Sequence, residues 1–159
     1  MLEIVAAHVT VIAATLVTLA ACVLLQYEYL ALAWRRLSEH QGHRRVKVLY
    51  GIFSVLLLHV VEILVFALVV WLLALWPACG SLEGEEASTF RDYFYFSAVT
   101  FSTVGFGEMW PVGALRFLCA AEALTGFVLI TWSASFTYLE MQRFWRPEDM
   151  HPGSQQGRK

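Results

Sequence analysis

The chemistry of this chain is concentrated in one stretch, Thr100-Phe101-Ser102-Thr103-Val104-Gly105-Phe106-Gly107-Glu108. A cation leaving water for an apolar layer loses its hydration oxygens and needs others at close range. Successive backbone carbonyls turned toward one axis can supply them, and a threonine hydroxyl such as that of Thr103 closes the inner end. Turning successive carbonyls the same way demands unusual φ/ψ values at alternate residues, which glycine adopts without a Cβ clash. Gly105 and Gly107 stand at that alternation, so Val104 and Phe106 point away from the axis and wedge the loop against its surroundings. A tight turn in an apolar protein accounts for the two glycines. It does not account for Thr100, Ser102 and Thr103 leading into them, or for Pro111 after them.

Such a stretch has to be held by rigid apolar elements, and the composition provides them. Of 159 residues 58% are hydrophobic, which excludes a soluble domain. Apolar runs of about 20 residues are long enough to span a bilayer. The first run, Ile4 to Trp34, follows a start with no positive charge, so the reading is a retained membrane helix and not a cleaved signal. Arg35, Arg36, Arg44, Arg45 and Lys47 then face a single acid, Glu39, in a short loop that the positive-inside rule places in the cytoplasm. Val48 to Trp76 forms the second membrane helix, ended by Pro77. The loop from Ala78 to Glu86 is acidic and falls outside; its acids either raise the local cation concentration or merely solubilise the loop. Ser88 or Thr89 caps a helix from Phe90 to Phe101, too short to cross and therefore re-entrant. Its aromatics Tyr93, Phe94, Tyr95 and Phe96 read either as a cuff around the following loop or as ordinary interface aromatics. Ala114 to Glu140 is the third membrane helix, and Arg143, Arg146, Arg158 and Lys159 put the C-terminus inside and hence the N-terminus outside. The expected organisation is residues 1–47 as an extra N-terminal helix with its basic loop, 48–145 as the functional unit, and 146–159 as a disordered cytoplasmic tail.

The stretch resembles the selectivity filter of potassium channels, usually T-x-x-T-V-G-Y-G-D, with Phe106 in place of the tyrosine and Glu108 in place of the aspartate. The resemblance runs from Phe90 to Trp145. It takes in the aromatic short helix, Pro111 and Gly126, and the whole chain looks like the short single-pore subunits of bacterial genomes. It implies an all-α membrane protein with three transmembrane helices, a re-entrant pore helix and a filter loop per subunit. Four copies would form a homotetrameric pore in the bacterial inner membrane, among lipids and without nucleic acid. It would conduct potassium passively and selectively. Thr103, Val104, Gly105, Phe106 and Gly107 would bind potassium through backbone carbonyls, flanked by Thr100, Ser102 and Glu108, with no organic cofactor and no catalytic residue. Gly126 resembles a gating hinge, although a packing glycine fits equally. Phe127, Ile130, Ala134 and Tyr138 would line the inner vestibule by resemblance; by pattern alone they can face lipid. The chain departs from the family at Val99, where many channels carry an acid that pairs with the acid after the filter. Arg116 or Trp110 is then a candidate partner for Glu108. No regular arginine series is present, which excludes voltage sensing of the usual kind.

Ionisable groups in a bilayer are costly and often functional. His59 and Glu62 share a helical face, and with Glu122 they read either as a pH-responsive network or as a structural hydrogen-bonded cluster. A metal site from His8, His59 and Glu62 is a weak alternative. Cys22 and Cys119 lie in apolar runs as core residues. Cys79 lies in the outer loop, where the resemblance to two-pore-type channels implies an intersubunit disulfide and a free thiol is the alternative. The competing functions are a non-selective cation channel, a haem carrier using His8 and His59, and a membrane subunit that conducts nothing.

Overall fold

A computed structural model describes residues 1–39, 44–84 and 89–145. Three long helices dominate it: α1 (Leu2–Glu39), α2 (Arg44–Ala74) and α4 (Leu115–Trp145). Each contains a span long and apolar enough to cross a membrane, at Leu2–Ala33, Val46–Ala74 and Leu115–Gln142. Between α2 and α4 lie a 3₁₀ turn (Pro77–Cys79), strand β1 (Leu82–Gly84), the short helix α3 (Phe90–Phe101) and strand β2 (Met109–Pro111).

The bounds of α3 are those read from the sequence. The long helices differ from their apolar runs because a helix does not have to stop where its hydropathy falls. Thus α1 continues through Arg35 and Arg36 to Glu39, and α2 begins within the basic stretch at Arg44. At its other end α2 stops at Ala74, short of Trp76. Pro77 disfavours helical backbone in the residue before it, and Trp76 is extended, with φ −104° and ψ 104°. The alternative cap Ser88, the acids Glu85 and Glu86, Arg146 and the tail 146–159 lie outside the described residues.

The two strands were not anticipated. They pair antiparallel, with Leu82 opposite Pro111, Glu83 opposite Trp110 and Gly84 opposite Met109. Strands of three residues show too little alternation to be read. The ladder fastens the loop after α2 onto the chain just beyond Glu108. Gly84 permits this: its φ is +113°, and a Cβ there would run into the Glu108 carbonyl.

The core has two parts. At the ladder end, Ala7, Val11, Val70, Cys79, Phe96, Leu115 and Leu118 pack together. Deeper along the bundle, Cys22, Phe66, Phe101 and Leu129 form a second cluster. In α1 the buried positions Ala7, Val11, Thr15, Thr18, Cys22, Gln26 and Leu30 recur every three or four residues, one stripe of a helix whose other faces are exposed. Small residues on that stripe let helices approach closely in lipid.

Cys79 corrects the disulfide expectation. It is a free thiol, wholly buried in the first cluster, with no cysteine beside it among the described residues. A buried sulfur cannot reach a neighbouring subunit without undoing that core, and burial also pushes the thiol pKa up, disfavouring the reactive thiolate.

Candidate functional site

The site is built outward from α3. At its start the Thr89 amide donates to Asp92 Oδ2 at 2.8 Å, so the acid of the first turn reaches back to the cap. At its end the Ser102 hydroxyl donates to the Ala98 carbonyl at 2.7 Å, and the Thr103 amide to the Thr100 carbonyl at 3.0 Å. The Gly105 amide then donates to the Val99 carbonyl at 3.1 Å, which turns the chain back along α3.

From there the backbone alternates. Thr103, Gly105 and Gly107 have φ of 60°, 55° and 86°, whereas Val104 and Phe106 between them do not have positive φ. Two of the three are the glycines that the sequence singles out. The third is a β-branched residue in a region such residues rarely enter, a conformation that costs about 1–3 kcal/mol and tends to mark a working site. A Cβ on Gly105 or Gly107 would meet nothing within 4 Å, so these glycines answer a backbone demand and not a lack of room. Among the described residues no backbone amide outside helices and strands donates to the carbonyls of residues 103–107. The carbonyls of this segment are thus left without such backbone donors. Val104 and Phe106 are 56% and 65% exposed.

Behind the segment the packing is dense and centres on Phe101. Its ring lies 6.0 Å from that of His59 and 6.2 Å from that of Phe66, both on α2. Gly126 of α4 is pressed against it, since a Cβ there would strike the Phe101 carbonyl. Of the two readings of Gly126, close approach is what the geometry displays. At the other end of α3, Phe90 meets Trp71 edge to face at 5.9 Å. The aromatics of α3 thus pack chiefly through Phe90, Phe96 and Phe101, with Tyr93 partly buried against the first cluster.

Glu108 has a partner that the sequence reading did not name. Tyr95 donates its hydroxyl to Glu108 Oε2 at 2.9 Å; neither Arg116 nor Trp110 fills that role. Tyr95 lies one helical turn before Val99 on the same face. Together Tyr95, Val99, Thr100, Gly105, Phe106, Gly107 and Glu108 enclose much of a pocket of about 120 Å³. The i, i+4 spacing of Tyr95 and Val99 was the available signal: an acid missing at one turn is replaced by a phenol at the turn before.

The buried acids sit around the second cluster. His59 Nδ1 and Glu62 Oε2 are 2.8 Å apart, so the expected pair forms. Glu122 of α4 is wholly buried, as are Glu62 of α2 and Ser97 of α3. Of the three expected network residues, His59 and Glu62 are thus joined, and Glu122 is not hydrogen-bonded to them. His8 does not join them: it is exposed and bonded to the Ile4 carbonyl at 2.7 Å. Its neighbour Ala7 packs in the cluster of Val70, which is roughly 16 Å of helical rise from His59. The two histidines of the haem reading thus do not meet, and no group of three metal-ligating side chains occurs among the described residues. Phe127, Ile130, Ala134 and Tyr138 are all exposed on α4, and the last three also line a groove against Ile52, Leu56 and His59 of α2.

Residues 58–142 match a protein family described as an ion channel. An inward rectifier potassium channel, Kirbac3.1 of Paramagnetospirillum magnetotacticum, is 34% identical over 115 residues, covering 70% of this chain and 36% of that protein. Protein LctB of Geobacillus stearothermophilus is 38% identical over 53 residues, or 33% of this chain and 40% of its own length. Two-pore potassium channel 4 of Arabidopsis thaliana is 41% identical over 51 residues, or 31% of this chain and 18% of its own. The chain thus spans well under half the length of these relatives. No solved structure matches it.

Proposed function

The chain belongs to the ion channel family, and from that premise we propose that it is a potassium-selective pore subunit, with Thr103, Val104, Gly105, Phe106 and Gly107 as the filter. The observation that carries this reading is the alternation of left-handed backbone at Thr103, Gly105 and Gly107. A strand alternating in this way can turn successive carbonyls toward one side, where they replace the hydration shell of a dehydrated ion. The potassium channels among the relatives supply the choice of ion.

One chain gives one such strand, and a ring needs several, so the proposed pore is a tetramer. The exposed Val104 and Phe106 support this, because side chains flanking the strand would then be covered by neighbouring copies. α3 is the pore helix of this assembly and dips into the membrane without crossing it. The three spans make the chain an integral membrane protein. In the proposed orientation, which follows the positive-inside rule, the filter faces outside and the basic loop and the tail lie in the cytoplasm, in a bacterial inner membrane. Potassium ions in the filter are the only cofactor proposed, Gly126 is the proposed hinge, and Phe127, Ile130, Ala134 and Tyr138 line the proposed vestibule.

Rubidium uptake into liposomes tests conduction. Purified chain should load vesicles that hold internal potassium, and protein-free vesicles should stay empty. Equal loading in the two would mean a subunit that conducts nothing.

A further inference from the structure

Helix α1 has no part in the filter, yet it runs in step with α4. Gln26 and Ser133, which are hydrogen-bonded, stand 107 positions apart. Cys22 and Leu129 of the second cluster have that same separation, as do Val11 and Leu118 of the first. The two helices are therefore parallel and joined at two levels. Gly126 lies between those levels, where α4 presses on the Phe101 carbonyl.

The join beyond Gly126 is polar. The Gln26 side chain is wholly buried; its Nε2 donates to Ser133 Oγ at 2.7 Å and to the Leu129 carbonyl at 3.2 Å. One amide thus bridges consecutive turns of α4. By contrast the neighbouring Thr15 and Thr18 hydroxyls are spent on carbonyls of their own helix. Releasing the Gln26 bonds would leave buried polar groups unmet, which makes the join costly to break. From Leu2 to Glu39, α1 contains neither glycine nor proline, the residues at which helices usually kink.

We propose that α1 is a splint across Gly126, and that Gln26 is the positioning residue fixing α4 from Leu129 onward. A bend of α4 at Gly126 moves Ser133 relative to Leu118. Helix α1 must then bend too, or give up the bonds of Gln26. The structural claim stands on its own, while its consequence for conduction rests on the channel reading.

The test uses the full chain in phosphatidylethanolamine–phosphatidylglycerol bilayers, with amide hydrogen exchange and single-channel open probability read on the same variants. Gln26→Leu, which removes both bonds of that amide, should speed exchange in 129–142 by at least about fivefold, the effect of losing one buried hydrogen bond, and leave 115–125 unchanged. Ser133→Ala should act in the same direction, the double variant should add nothing to Gln26→Leu, and Ser133→Thr, which keeps the hydroxyl, should match wild type. Open probability should shift by a similar factor with the same non-additivity. Faster exchange along all of α4, or strictly additive effects, would overturn the splint. So would a conducting wild type whose open probability is indifferent to Gln26→Leu. A wild type that passes no current while exchange responds as stated would sink the channel reading and leave the splint standing.

Discussion

Gly105 and Gly126 are the same residue used for opposite reasons. At Gly105 there is room for a side chain, and the backbone, at φ +55°, refuses it. At Gly126 the backbone is ordinary helix, and the carbonyl of Phe101 occupies the place a Cβ would take. The contrast extends to their surroundings. The Thr103–Gly107 segment is strained, exposed and nearly without internal partners. The packing behind it joins α1, α2, α3 and α4 around Phe101. A strained, exposed strand is thus held by a close-packed support. Conformation is decisive in the first region, and volume in the second.

Alanine at each glycine should separate the two. Gly105→Ala is expected to have the largest effect on transport, because left-handed backbone costs an L-residue about 1–2 kcal/mol and an assembled ring would meet that cost in every copy. Potassium preference should vanish, because the exposed segment can relax to another backbone conformation, and the thermal midpoint should fall less than with Gly126→Ala. Gly126→Ala should do the reverse, lowering stability by about 1–3 kcal/mol through overpacking, seen as a lower thermal midpoint in detergent. If Gly105→Ala unfolds the protein and Gly126→Ala leaves stability intact, the contrast is wrong.

Tyr95→Phe probes the link between the regions. It leaves the carboxylate of Glu108 without its phenol at the end of the strand. Losing a hydrogen bond to a charged group costs about 1.5–3 kcal/mol when the group is well shielded, and less at this exposed position. Currents should therefore decay faster during sustained opening, with unitary conductance unchanged. A decay equal to that of wild type would show that the bond does not steady the strand.

His59→Gln tests whether the support steadies the strand. The imidazole touches both Glu62 and the ring of Phe101, so its loss should loosen the packing against the strand. Open probability should differ from that of wild type, and an unchanged value would make the pair structural. The smallest effect is expected at Cys79: non-reducing gels of oxidised membranes should show no disulfide-linked dimer, and a maleimide should label this thiol only after unfolding. Burial also raises its pKa, so at a given pH the folded protein should hold less of the reactive thiolate than a free cysteine does.

What the sequence disclosed follows from distance along the chain. The alternating glycines, the bounds of α3 and the three apolar spans are local patterns; the first two are present as read, and the spans recur with ends shifted by a few residues. The His59–Glu62 pair is three residues apart and was equally visible. Contacts between distant residues were not. Tyr95 meeting Glu108, Gly126 meeting Phe101 and Gln26 meeting Ser133 each need the tertiary path of the chain. The left-handed Thr103 was hidden for another reason. Its residue type argues against that conformation, and only the strain imposed by its surroundings overrides it. Cys79 shows the converse error, a loop position taken as accessible although the loop folds inward onto Ala7, Val11 and Leu115.

The central claim is that the Thr103–Gly107 segment selects potassium. The most direct measurement is the reversal potential of the reconstituted wild-type chain, with potassium on one side of the bilayer and sodium on the other. The account predicts a reversal displaced far toward the potassium equilibrium potential, and a displacement abolished by Gly105→Ala. A wild-type reversal at zero, with clear current in both directions, would mean that sodium passes as readily as potassium and would contradict it.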